Sequence, residues 1–126
     1  MPATDLSREP HVATGLLAYQ EGAIVSRILS KTPSGSVTLF AFDAEQVLSE
    51  HTTPFDALVH VLDGKAEITI GGTPHRLAAG ELILMPAGIP HALRAPTPFK
   101  MVLTMLRDKP AEPTGPTNPP NPGAAR

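Results

Sequence analysis

Gly80-Glu81-Leu82-Ile83-Leu84-Met85-Pro86-Ala87-Gly88-Ile89-Pro90-His91 is the stretch whose reading decides how this chain folds. Residues 81–85 form a short apolar run bounded by turn residues, as a core strand does. Gly80 supplies the positive φ of the turn before it. Pro86 cannot donate to a sheet ladder and ends the strand. Gly88 and Pro90 then fix a sharp corner, which delivers His91 to the mouth of the sheet. An imidazole set there by rigid backbone is a metal ligand or an acid–base group. A lone histidine in such a place is also often only a satisfied structural residue.

Outward from this stretch, the chain keeps the same rhythm. Apolar or β-branched runs occupy residues 24–29, 37–42, 58–62, 65–70, 74–77, 82–85, 91–94 and 99–106. Thr32-Pro33-Ser34-Gly35, Asp63-Gly64 and Gly71-Gly72-Thr73-Pro74 separate them as turns. Many short strands at regular spacing predict an all-β sandwich or closed barrel. Residues 13–21 carry Leu16, Leu17 and Ala18 and form a short helix or an extended arm. Beyond Arg107 the composition turns to proline, glycine, alanine and small polar residues, with no apolar periodicity. Such a segment cannot pack, and Pro119-Pro120 suits polyproline II. The expected organisation is an arm over 1–23, one barrel over 24–107 and a disordered Pro-rich tail over 108–126.

Composition narrows the function. At 126 residues the chain supports one domain and one core, and a hydrophobic content of 41% is enough to build it. A net charge of -2 gives no electrostatic case for nucleic acid or anionic lipid. No apolar run is long enough for a membrane-spanning helix. The first twenty residues lack a basic region followed by an apolar one, so a cytoplasmic location is expected. There are no cysteines, which excludes disulfides, thiolate catalysis and cysteine-based metal sites.

The spacing from Gly80 to His91 resembles the second signature of the cupin family: a glycine, five residues, Pro-x-Gly, two residues and a histidine. The family pattern closes on an asparagine four residues later, where this chain has Ala95. Residues 50–64 resemble the first signature in reduced form. His51 matches the first histidine of the family's His-x-His pair, and Gly64 matches the closing glycine. Thr53 replaces the second histidine, Ala57 replaces the glutamate, and Glu45 stands where the opening glycine is usual. The resemblance covers residues 24–107. It implies a double-stranded β-helix, or jelly-roll, barrel with His51 and His91 as metal ligands.

Side chains alternate across a sheet. The resemblance turns Ala57 inward, because its glutamate counterpart faces the metal. Val59 and Val61 follow it inward. His60, the possible third metal ligand, then faces outward with Leu58 and Leu62, unless a bulge resets the register. That outer face needs cover from the arm or from a second subunit, so a homodimer is expected. Asp56 also faces outward. Two imidazoles hold one divalent transition metal (zinc, nickel, manganese or iron) only loosely, and a metal-free site is equally plausible. Thr53 is a poor ligand and is expected to orient one of the histidines. Ala57 opens space, giving a ligand pocket lined by Thr53, Ala57, Met85 and Met101. Arg94 is placed to assist a small anion at the mouth.

Two functional classes follow. One is a small barrel that binds a small molecule, a weakly held divalent metal, or both, through His51 and His91. The other is a metal-dependent enzyme of dioxygenase, isomerase or decarboxylase type. Substrate, reaction and metal identity are not written in the sequence, and no nucleic-acid or membrane partner is expected.

Overall fold

The computed structural model describes residues 6–107. The disorder expected for residues 108–126 lies outside them. The described residues form nine strands. These are β1 (Ile24–Thr32), β2 (Gly35–Phe42), β3 (Val47–His51), β4 (Asp56–Asp63), β5 (Lys65–Ile70), β6 (Thr73–Ala78), β7 (Leu82–Met85), β8 (His91–Arg94) and β9 (Phe99–Leu106). Eight coincide with the apolar runs of the sequence. β3 is the addition: Val47-Leu48-Ser49-Glu50-His51 is too polar to register as a strand, yet it pairs with β8.

The strands build two sheets, ordered β1-β2-β9-β4-β7 and β3-β8-β5-β6, with antiparallel pairing throughout. The two sheets pack face to face as a jelly roll. Period-two alternation is plain in β4, where Ala57, Val59 and Val61 are buried while Leu58, His60 and Leu62 are only half-buried. Phe42, Val59, Val61, Ile68, Leu93, Phe99 and Met101 form the core. The rings of Phe42 and Phe99 stack with centroids 4.5 Å apart and plug one end of the barrel. The other end stays open.

Leu39 and Ala41 face outward from β2, paired with Val102 and Lys100, yet both are fully buried. The arm crosses over them. It contains one 3-10 turn, Ala13–Leu16, and is otherwise extended. Arg27 donates to the Leu16 carbonyl at 2.7 Å and Lys100 to the Thr14 carbonyl at 2.6 Å. Tyr19 donates to Asp63 at 2.6 Å while Lys100 sits over its ring. The arm does not reach β7, where Leu82 and Leu84 remain 60% and 46% exposed.

Two turn positions show what the chain demands of its backbone. Gly64 joins β4 to β5 at φ 75°, and a Cβ there would run into the Pro98 carbonyl. Glu45 is the only described non-glycine residue with positive φ, at 69°. It occupies the position where the cupin pattern has glycine. Its amide donates to the Ala95 carbonyl at 2.7 Å, and its carboxylate makes only an exposed 3.8 Å pair with Arg94. The left-handed backbone costs a non-glycine residue about 1–2 kcal/mol. Glu45→Gly is therefore expected to raise stability by up to about 1 kcal/mol after the entropy that glycine adds to the unfolded chain. Gly64→Ala is expected to lower it by more than about 2 kcal/mol. Urea unfolding of both variants checks the pair, and a destabilised Glu45→Gly would show that the turn is unstrained.

Candidate functional site

His51 and His91 meet across the pairing of β3 with β8. Leu48 pairs with Leu93, but His51, three residues on, pairs with His91, only two residues back. The extra residue makes a bulge in β3. Without it, alternation would send His51 to the opposite face from Leu48. With it, His51 turns inward beside His91. The loop before β8 is pinned on two sides: Ala87 N–H donates to Asp56 Oδ1 at 2.8 Å, and Gly88 N–H to the Thr53 carbonyl at 2.8 Å. This loop sets the entry of β8 and with it His91.

The rings meet edge to face, with Nε2 of His91 3.1 Å from Nε2 of His51. His51 Nδ1 lies 2.7 Å from the Ser49 carbonyl, which can only accept, so this nitrogen carries the proton and Nε2 is bare in the neutral ring. His91 Nδ1 lies 3.3 Å from the Ile89 carbonyl. A neutral His91 thus has one proton for two acceptors, His51 and Ile89. If it goes to Ile89, two lone pairs face each other and a cation is drawn to the gap between them.

The pair forms part of the wall of a cavity of about 170 Å³ between the sheets. Thr53, Ala57, Met85 and Met101 also border it, and the remaining lining is apolar, including Phe40, Leu103 and Met105. No carboxylate lines it. Among the described residues no third histidine, aspartate or glutamate joins the two imidazoles to make a three-ligand cluster.

This architecture has close parallels. The family model described as a cupin domain matches residues 38–106. The chain belongs to the cupin family. Its fold is similar to a conserved protein of unknown function from Streptococcus pyogenes, with TM-score 0.78 and 36% identity over 81% of this chain and 90% of that one. It is similar to a cupin superfamily protein from Desulfitobacterium hafniense, with TM-score 0.76 and 27% identity over 80% and 93% of the two chains. It also resembles a cupin 2 conserved barrel domain protein from Leptotrichia buccalis, with TM-score 0.72 and 38% identity over 75% of this chain and 46% of that one. Comparison with curated proteins finds no match.

His60 lies on the outer face of β4, opposite Leu82 on β7 and Val102 on β9, turned away from the His51–His91 pair. β4 and β9 do contain a register shift, but it falls between Val61 and Asp63, beyond His60. Thr53 does not orient a histidine: its hydroxyl bonds to the backbone of Phe55, and the Ser49 and Ile89 carbonyls hold the rings instead. Arg94 is not at the mouth. It faces away from Leu93 and is tied to Glu67 at 2.9 Å and to Glu45. Its guanidinium holds the Glu67 carboxyl below the usual carboxylate range. Ala95 is fully buried, its amide on the Gln46 carbonyl and its carbonyl on Glu45, which leaves no room for the family's asparagine side chain without displacement.

Burial, and then the facing His51 ring, hold the His91 imidazole below the usual histidine range, while the Ile89 carbonyl opposes the shift. The folded state therefore favours neutral His91, and the unfolded chain binds the proton more readily. This contribution is present above about pH 6.5 and is lost as pH falls through the depressed folded value. In chelator-treated protein the thermal midpoint should drop between pH 7.5 and 5.5, and His51→Gln should flatten the drop by removing the facing cation. A midpoint that does not change across that window contradicts this account of the pair.

Proposed function

We propose that this cupin binds a small, mainly apolar molecule in the cavity between its sheets, with the His51–His91 pair as the polar anchor and a loosely held divalent metal as its optional partner. The observation that carries the reading is the convergence of two Nε2 atoms, 3.1 Å apart, on the wall of an otherwise apolar cavity. Pockets of this kind use apolar walls for affinity and a few placed polar groups for orientation.

The donor set fits a metal in part. Two nitrogens bound to one tetrahedral ion at about 2.0–2.1 Å stand about 3.3–3.4 Å apart, close to the spacing seen here. Both nitrogens are of the right type, and the Ser49 carbonyl fixes the tautomer that His51 needs. What is missing is a third protein ligand and a carboxylate to offset the charge, so binding is weak and the ligand itself completes the shell. A bound ion would supply Lewis-acid polarisation of a ligand oxygen. Zinc, nickel, manganese and iron are the ions to try.

Metal content by mass spectrometry on untagged protein is the test. Less than one metal per chain is expected as purified, rising toward one on incubation, and none in a His51→Ala/His91→Ala double variant. Stoichiometric metal that survives chelation would instead favour the metal-dependent enzyme. Metal retained by the double variant would move the site elsewhere.

A second copy of the chain is the proposed partner. Leu82 and Leu84 on the β7 edge lie outside the arm's cover, beside half-buried Leu58 and His60. Sedimentation should give a dimer, and a Leu82→Glu/Leu84→Glu variant a folded monomer. A monomeric wild type would refute it.

A further inference from the structure

The open end of the barrel holds a second cavity, of about 220 Å³. Lys31, Thr32, Ser36, Phe55, Met105 and Arg107 border it. A register shift between Ile28 and Ser30 in β1 makes its chemistry. Ile28 pairs with inward-facing Thr38, so simple alternation would turn Lys31 outward. The extra residue puts Lys31 opposite Ser36, in the same cross-strand row as Met105 and Ala57. Arg107, two residues beyond inward-facing Met105, is held from both sides. Its amide donates to the Ser34 carbonyl at 2.8 Å, and its guanidinium lies over the Phe55 ring, 4.8 Å from the centroid. Stacking leaves the N–H edge of an arginine free to bond.

Among the described residues neither Lys31 nor Arg107 makes an ion pair, and no carboxylate lines this cavity. Two cations and two hydroxyls thus surround a space with nothing to neutralise them. Met105 borders this cavity and also the apolar cavity of His51 and His91. The two spaces adjoin across one side chain, and methionine is the side chain best able to move aside.

We propose that the natural ligand is a small amphiphilic carboxylate. Its apolar body enters the cavity beside the imidazoles past Met105, and its carboxylate is held at the mouth by Lys31 and the fork of Arg107. This rests on the ligand-binding reading above and adds the ligand's charge and orientation.

Calorimetric titration of the full chain with butyrate, hexanoate and benzoate, and with their neutral amides, tests it. At least one acid should bind about tenfold more tightly than its amide. Lys31→Gln/Arg107→Gln should remove that advantage and leave the amide's affinity as it was. Ala57→Leu, which fills the apolar cavity from β4, should weaken acid and amide alike. Equal binding of acid and amide, both sensitive to Ala57→Leu, would overturn the anionic mouth while the pocket reading stands. Acids that bind through Lys31 and Arg107 but ignore Ala57→Leu would be surface anions and would overturn the amphiphile. No binding by any acid or amide at 10 mM (about 2.7 kcal/mol of affinity) would overturn the pocket reading and this inference together. The acid–amide comparison needs only wild-type protein, so it decides even if Ala57→Leu fails to fold.

Discussion

A pleated strand gives each side chain one of two faces, and only an extra residue can change the sequence of choices. This constraint organises the whole site. The bulge in β3 turns His51 from the face it would otherwise take to the one that holds His91. The register shift in β1 does the same for Lys31. β4 runs without interruption from Ala57 to Val61, which keeps its buried residues on the core and leaves His60 outside. A third imidazole, His60, lies three residues from Ala57, the metal-facing position of the family, and is unavailable to the site for that reason alone.

The loss of the carboxylate shapes the electrostatics. With Ala57 where the cupin pattern has glutamate, the cavity wall carries two imidazoles and otherwise only Thr53 among polar residues. The hydroxyl of Thr53 is already spent on Phe55. Nothing in the lining offsets a positive charge, and burial favours the neutral His91 ring. The same site that brings two imidazole nitrogens together holds no carboxylate to offset a divalent ion. This absence is why we propose an apolar ligand with one polar end rather than a tightly bound metal.

Much of this was legible in the sequence. The run from Gly80 to His91 gives β7, its closing turn and the start of β8, because glycine and proline act through local backbone geometry. The alternation of β4 gave the orientation of His60 correctly relative to Ala57. What escaped was non-local. β3 reads as polar because Ser49 and Glu50 occupy its bulge, and a bulge is set by the partner strand rather than by its own residues. Nearness to His91 in sequence suggests a place at the mouth for Arg94, but a separation of three in a strand puts it on the opposite face, where Glu67 takes it. The position of Thr53 suggests a side chain that orients a histidine, a role that the Ser49 and Ile89 carbonyls fill. Glu45 looked like a simple departure from the glycine pattern, and only the backbone reveals that it adopts the glycine conformation anyway.

The central claim is that His51 and His91 act as one coupled pair with the bare nitrogen of His51 turned toward its partner. Nitrogen-15 spectroscopy of the imidazoles in metal-free protein at neutral pH addresses it directly. The account predicts the proton of His51 on Nδ1, a bare Nε2, and a clear shift of that Nε2 resonance when His91 is replaced by alanine. A proton on His51 Nε2, or a resonance indifferent to the loss of His91, would contradict it.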